Sequence, residues 1–316
     1  MKKTILALLL AGATCVTGCG DSNSFDGVSG QQGNPQPIIT PTTTPTPTTG
    51  YFVDAANGND ATGNVSTGAP YATIQAAATA APASAVVTVR AGTYNEGVTL
   101  KNGQQLLGVA SGNRPVVTGP INLGDGNVLD FLRVQGTNGS AVEGDDQDGG
   151  TITNCEFANT TNFGSGVKAL SATGTWVIEG NSMTGLSGNG VELAAGSGDS
   201  MVVQVNGNTI TGSAFTSIGV LVTGTGTMRL QAMDNVLVGN GPFEVISGQT
   251  GEFVGQIVGN SNDATYRLSR NVASAVLRIE RFAQLTTLNS GGATVDVIAE
   301  SIEDVANGAA GFGTAP

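Results

Sequence analysis

A repeat of 27 residues in the second half of the chain restricts the possible folds more than any other feature. A Gly-Asn or Asp-Asn pair recurs at this interval, beginning at Gly180, Gly207 and Asp234, and a weaker copy begins at Gly259. A fixed period in the twenties is typical of a solenoid, in which each repeat buries its apolar face only against its neighbours. The chain therefore predicts a stack of similar coils.

The residues between the asparagines indicate that each coil is made of short strands. Apolar residues alternate before each asparagine (Trp176/Ile178, Val203/Val205, Leu230/Ala232) and again after it (Val167/Ala169, Val191/Leu193, Val220/Val222). Alternation with a period of two is typical of strands with one buried face. With 48 glycines and only 11% charged residues, the sequence predicts an all-β parallel β-helix with coils of roughly 23–29 residues, stacked ~4.8 Å apart.

The asparagines themselves form a column in this stack. Stacked amides can hydrogen-bond to one another along a fibre or solenoid axis, which predicts a structural ladder of Asn181, Asn208, Asn235 and Asn260. Aligning Ile152 with Ile178 extends the repeat upstream and places Cys155 in the same column. There we expect Cys155 to be a small buried apolar residue.

Three motifs near the start of the repeat region carry a resemblance to a known family. They are Tyr51 to Asp60, Tyr71 to Gln75 and Val89 to Glu96, in that order. Together they resemble the N-terminal module of the pectate-lyase-like superfamily, in a branch mostly of unknown function. The resemblance implies a single-stranded, right-handed parallel β-helix. The Ala-rich stretch from Tyr71 to Ala81 predicts a short helix that caps the N-terminal end, where open strand edges would otherwise promote aggregation.

The first 50 residues are not predicted to belong to a globular domain. A positive start and a short apolar stretch predict a signal peptide over residues 1–18. Val16-Thr17-Gly18-Cys19 resembles the bacterial lipobox, which implies lipidation of Cys19, anchoring to a membrane and a place in the outer membrane or at the cell surface. Residues 19–50 predict a Pro/Thr-rich tether, residues 51–306 the β-helix, and residues 307–316 a loose tail.

Charge and composition exclude several classes of function. The chain has no histidine, which excludes Ser-His-Asp and Cys-His catalysis. After removal of the signal peptide, 10 basic residues stand against 24 acidic ones. We therefore expect no nucleic-acid partner, because such a chain repels phosphate backbones.

One predicted column of charged residues suggests chemistry. The second alternating set places Glu143, Lys168, Glu192, Leu221 and Glu244 on the outside of successive coils. Superfamily lyases use a Lys or Arg base beside carboxylates that hold calcium, so the resemblance implies Lys168 as a catalytic base. The competing interpretation is a ladder of opposite charges, which stabilises slightly. Flanking carboxylates raise the pKa of a lysine, which is unfavourable for a base.

An acidic segment follows Glu143 in the sequence. Asp145, Asp146 and Asp148 supply carboxylate oxygens in a Gly-containing loop. Together with Glu143 and Glu192 they predict a calcium site. A solvated acidic turn is the alternative. A second oxygen-rich cluster, Asp54, Asn57, Asn59 and Asp60, is open to the same two interpretations, since Asx residues also form turns.

Three functions are compatible with these patterns, the third of them a purely structural component of the envelope. The first is a non-catalytic, lipid-anchored surface protein whose β-helix serves adhesion or contact with glycans or the envelope, with a polysaccharide or a surface protein as partner. The alternative is a calcium-dependent polysaccharide lyase or epimerase that acts on uronate-containing glycans. Aromatic residues make up only 5% of the chain, and the single Trp176 falls on the inward side of its strand, which favours core packing over sugar stacking.

Overall fold

The computed structural model describes residues 50–314 with the exception of 111, 240, 293, 299–301, 308 and 313. The predicted signal peptide, Cys19 and the tether up to residue 49 lie outside the described residues. From Tyr51 to Val305 the chain forms an all-β parallel β-helix of about eight coils. The predicted fold class is confirmed.

Three sheets, here called A, B and C, form the sides of the solenoid, and every strand pair in them is parallel. Sheet A contains β1 (Tyr51–Val53), β2 (Val86–Val89), β5 (Gln105–Gly108), β8 (Asn127–Asp130), β11 (Asp148–Thr153), β14 (Thr173–Glu179), β17 (Ser200–Asn206), β20 (Thr227–Met233), β23 (Glu252–Val258), β26 (Val276–Glu280) and β28 (Glu303–Val305). Sheet B contains β3 (Thr93–Tyr94), β6 (Val116–Val117), β9 (Arg133–Gln135), β12 (Glu156–Ala158), β15 (Ser182–Leu186), β18 (Thr209–Ser213), β21 (Val236–Val238) and β24 (Ser261–Asn262). Sheet C contains β4 (Val98–Thr99), β7 (Ile121–Asn122), β10 (Val142–Glu143), β13 (Val167–Leu170), β16 (Val191–Ala195), β19 (Ile218–Val222), β22 (Phe243–Ser247), β25 (Thr265–Arg270) and β27 (Thr294–Ile298).

The core is a set of apolar columns that run along the solenoid axis. Alternate residues of each strand point inward, so each inward position stacks on its equivalent in the next coil. One column of sheet A is fully buried along its length and consists of Val87, Leu106, Leu129, Ile152, Ile178, Val205, Ala232 and Ile257. Burial of these stacked side chains stabilises the coils in the absence of any disulfide among the described residues.

The N-terminal end is capped by α1 (Ile74–Ala80), which buries Ile74, Ala77 and Ala78. The predicted helix is confirmed but begins three residues later than Tyr71, because Asp60 accepts hydrogen bonds from the N–H groups of Ala72 and Thr73 and holds that stretch outside the helix. Thr73 then caps the helix by accepting from the N–H of Ala76.

The three N-terminal motifs meet around this helix. Glu96, from the third motif, accepts hydrogen bonds from the N–H groups of Ile74 (2.8 Å) and Gln75 (2.9 Å) at the start of α1. Arg90 pairs with Asp54 of the first motif at 3.0 Å. Side-chain contacts therefore hold the three motifs together as one N-terminal cap.

The C-terminal end is closed by a 3-10 turn (Phe282–Gln284), by α2 (Leu285–Leu288) and by β27 and β28. These two strands are the last members of sheets C and A, respectively. In the predicted loose tail, Ala310 is buried and its N–H donates to the buried carboxylate of Glu280 at 2.5 Å. No helix in the part of the chain that the structure describes is long and apolar enough to cross a membrane.

Candidate functional site

The charged column lies on the outer face of sheet C. Glu143 pairs with Lys168, and Lys168 pairs with Glu192. The next position is Gly219 rather than Leu221, which pairs with Ala194 two residues further along the strand. The prediction for Leu221 is therefore wrong. Ile218, Val220 and Val222 alternate with outward residues, so two strand registers that differ by two residues have the same inward and outward faces, and the alternation alone does not distinguish them. The column continues through Glu244, Arg267 and Asp296.

Lys168, the predicted base, is held by a carboxylate from the loop below it. Its Nζ lies 2.7 Å from Oδ2 of Asp145, and the other oxygen of Asp145 accepts from the N–H of Leu170 at 3.0 Å. Burial of Lys168 disfavours its charge, but the hydrogen bond to Asp145 and the charges of Asp145, Glu143 and Glu192 outweigh this and raise the pKa of Lys168. Lys168 is thus a protonated partner in an ion pair.

Glu192, the next residue of the column, is hydrogen-bonded to a serine of the neighbouring coil. Its Oε2 accepts a hydrogen bond of 2.8 Å from the hydroxyl of Ser165, which is fully buried. Further along the column Glu244 pairs with Arg267 at 3.3 Å. Ion pairs and hydrogen bonds thus engage the charged side chains along this face, as expected of a structural charge ladder.

The predicted calcium ligands do not converge on one point. Asp145 is occupied by Lys168, whereas Asp148 accepts from the hydroxyl of Thr173 at 3.1 Å in the next coil. Asp146 is exposed in a left-handed turn, with φ 62°. Among the described residues no three Asp, Glu or Cys side chains come close enough to hold a metal ion. The predicted ligands therefore do not form a single calcium site, because Asp145, Asp148 and Glu192 each belong to a different contact between coils.

The second oxygen-rich cluster forms turns. Asp54 accepts from the N–H groups of Ala56 (3.0 Å) and Asn57 (3.1 Å). Burial opposes the charge of Asp54, but hydrogen bonds from Asn57 and Arg90 and from the backbone lower the pKa of this carboxyl. The carboxylate oxygens of Asp54 are thus used in hydrogen bonds and an ion pair within the N-terminal cap.

The asparagine column forms a hydrogen-bonded ladder at the corner between sheets A and B. Nδ2 of Asn181 donates to Oδ1 of Asn208, Asn208 to Asn235, and Asn235 to Asn260, each at 2.8–3.0 Å. Each of these amides also donates to a backbone carbonyl of the coil below, for instance Asn208 to Ile178 at 2.8 Å. Every buried amide in this run is therefore paired in both directions.

The ladder has two ends. Sequence reasoning missed Asn289, at the end of α2, whose Oδ1 accepts from Nδ2 of Asn260 at 3.0 Å. Its interval from Asn260 departs from the repeat, so only the structure reveals it. At the other end the N–H of Cys155 donates to Oδ1 of Asn181 at 2.9 Å. Cys155 is buried, and this burial raises the pKa of its thiol to about 12.

Trp176 lies in the core, as its parity predicts. Its Nε1 donates to the carbonyl of Thr173 at 2.9 Å. The indole occupies the space beside two glycines, since a Cβ at Gly144 would lie 2.4 Å from Cη2 and one at Gly150 would lie 2.9 Å from Cζ3. The glycines of the acidic segment therefore accommodate this ring.

Two surface features have no counterpart in the sequence analysis. One is a groove of about 350 Å³ on sheet A, lined by residues at the start of β17, β20 and β23, among which Arg229 is exposed. The other is a pair of exposed rings, Phe163 and Phe215, on the loops between sheets B and C. The spacing of the two phenylalanines differs from the 27-residue period, so the repeat does not place them side by side.

Comparison of the chain with protein-family models, with curated proteins and with solved structures found no match in any of the three.

Proposed function

We propose that this protein is a non-catalytic surface lipoprotein whose β-helix is a rigid scaffold for adhesion or for contact with glycans or the envelope. One observation carries the proposal: the Nζ of Lys168 lies 2.7 Å from Asp145 with a raised pKa. A general base has to be unprotonated at the working pH. The residue best placed for β-helix lyase chemistry is thus committed to stabilising contacts between coils.

Rigidity supports a display role. The amide ladder and the stacked apolar columns connect each coil to the next over most of the solenoid. Long parallel faces held in this way present outward side chains at fixed spacing. Such a surface suits repeated weak contacts with an extended partner.

The anchor remains a prediction from the lipobox at Cys19. Acylation of this residue would attach the protein to a membrane, and the Pro/Thr-rich residues up to 50 would separate the domain from the lipid. Replacing Cys19 with serine should abolish incorporation of labelled fatty acid and release the protein from the membrane fraction. Digestion of intact cells with protease tests exposure at the surface, since a periplasmic domain would be protected.

The test of the non-catalytic role is a polysaccharide assay on the full chain in detergent. Acidic and neutral polysaccharides are incubated with calcium or with chelator, and absorbance in the ultraviolet reports unsaturated products. We expect no product from the wild type or from Lys168→Ala. Calcium-dependent product that disappears in Lys168→Ala would overturn the proposal in favour of a lyase. Transfer of solvent deuterium to the polymer would reveal an epimerase.

A further inference from the structure

Two exposed aromatic rings meet on one edge of the solenoid. Phe163 is 77% exposed and Phe215 is 49% exposed. Their ring centroids lie 5.8 Å apart with an interplanar angle of 31°. They come from loops that connect sheet B to sheet C two coils apart, so one coil lies between them. Contiguous exposed apolar groups mark interaction sites, whereas single exposed apolar residues are normal on any surface.

The intervening loop is shaped to let the rings meet. Gly188 occupies its centre, and a Cβ there would lie 2.3 Å from the carbonyl oxygen of Phe163. The carbonyl of Gly188 accepts from the N–H groups of Ala214 (3.0 Å) and Phe215 (3.3 Å). The three loops therefore stack by their backbones, and the two rings project from the stack.

The backbone at the first ring is strained. Asn162 and Phe163 both have left-handed φ values, 51° and 60°. Asparagine tolerates this conformation, but for a bulky aromatic residue it is an outlier. Strained residues of this kind persist where the surrounding structure imposes them, and they are concentrated at binding and active sites. The fold thus holds an apolar ring in solvent at an energetic cost.

The surroundings of the rings are polar but uncharged. The four stacked loops, residues 136–141, 159–166, 187–190 and 213–217, contain Gly, Ala, Asn, Ser, Thr and the two Phe, and no charged residue. Asn138, Thr161 and Asn162 are exposed beside Phe163, and the side chain of Asn162 donates to that of Asn138.

The charged residues that follow these loops on the adjoining sheet C are Glu143, Lys168 and Glu192. Lys168 is paired with Asp145, so the carboxylates predominate there, and the hydroxyl of Ser165 in the second loop donates to Glu192 at 2.8 Å. Acidic groups beside the rings repel an anionic polymer. Amides and hydroxyls around an aromatic surface instead suit a partner that offers C–H groups to the rings and hydroxyls to the amides.

We propose that Phe163 and Phe215 form a platform that binds a neutral polysaccharide by stacking against the apolar face of a sugar ring, with Asn138 and Asn162 hydrogen-bonding its hydroxyls. This inference rests on the proposed function and names the class of its ligand. The proposed site consists of residues of the B–C loops and includes neither Lys168 nor Asp145.

The test measures binding of the full chain in detergent to cello-, malto- and manno-hexasaccharides, with polygalacturonate as the anionic comparison. The key variant is Phe163→Gly, because glycine adopts a φ of 60° without strain and should leave the thermal midpoint unchanged or raised. Together with Phe215→Ala it should weaken binding at least about tenfold. Val65→Ala is the matched control, since Val65 is 51% exposed and lies in the N-terminal module.

Each outcome separates the two proposals. Weaker binding in the Phe variants at unchanged stability, with the control at wild-type affinity, supports the platform. Binding of neutral glycans that the Phe variants leave intact overturns the platform but not the surface role. Preference for polygalacturonate, or failure to bind any of the hexasaccharides, also overturns the platform. Cleavage of a probe by the wild type contradicts the non-catalytic role independently.

Discussion

Two polar columns run along this solenoid, and they differ in burial. The amide ladder (Asn181, Asn208, Asn235, Asn260, Asn289) lies in the corner between sheets A and B, where Asn208, Asn235 and Asn260 are fully buried. The charged column on sheet C (Glu143, Lys168, Glu192, Gly219, Glu244, Arg267, Asp296) is half-exposed. Neutral amides can be buried at little cost when both ends are paired, whereas charges stay near water. The same stacking geometry therefore produces a column that stabilises the fold strongly in the interior and one that stabilises it weakly at the surface.

The largest effect is expected from Asn208→Ala. This change removes the acceptor of both the side-chain amide and the backbone N–H of Asn181, and it removes the donor to the carbonyl of Ile178. Oδ1 of Asn235 loses one of its two donors and keeps the backbone N–H of residue 208. Because these groups are buried, we expect a loss of at least about 3 kcal/mol in the free energy of unfolding. Denaturant titration measures it, with the half-buried Asn206→Ala of the same coil as the control. A loss no larger than that of the control would contradict a dominant role for the ladder.

A smaller effect is expected where the charged column touches a buried group. Glu192→Leu removes the acceptor of the buried Ser165 hydroxyl, which should cost about 1–2 kcal/mol. Glu192→Gln keeps an acceptor oxygen and should cost much less. Equal losses in the two variants would indicate that the charge of Glu192, and not its hydrogen bond, stabilises this coil.

The ladder should accept one more member. In Cys155→Asn the new amide lies in the column next to Asn181, whose Oδ1 already accepts from the N–H at this position. We expect the free energy of unfolding to change by less than about 1 kcal/mol, because the new donors meet carbonyl groups of the coil below. Cys155→Asp at neutral pH is the control, since it places a charge in the same buried position. Similar stabilities for the two variants would show that the corner is open to water.

The smallest effect is expected for Lys168→Met. A partly exposed ion pair contributes about 0.2–1 kcal/mol, and added salt should reduce this further. Because the folded state raises the pKa of Lys168, its contribution is present below the pKa of an unfolded lysine, about 10.4. It is lost as the pH rises through the folded pKa. The difference between wild type and variant, followed by denaturation at increasing pH, should therefore vanish only under alkaline conditions.

The architecture and much of the amide ladder can be predicted from the sequence alone. A repeat with one asparagine per coil and a period-two apolar pattern leaves a stacked parallel solenoid as the fold that buries every apolar face. Asn181, Asn208 and Asn235 align because their interval is constant, and Trp176 points inward because its strand parity requires it. These features depend on local periodicity, which is visible in one dimension.

Which side chains meet between coils depends on the three-dimensional packing of the loops and on the strand register. Gly219 stands beside Glu192 instead of Leu221 because a shift by two residues keeps every face unchanged and only the hydrogen-bond register distinguishes the alternatives. Asp145 pairs with Lys168 whereas Asp148 accepts from Thr173, which divides the predicted calcium ligands. Phe163 and Phe215 meet because their loops stack by their backbones on either side of Gly188, where a Cβ would lie 2.3 Å from the carbonyl oxygen of Phe163. Loop lengths and backbone conformation set these contacts, and neither follows the period of the repeat.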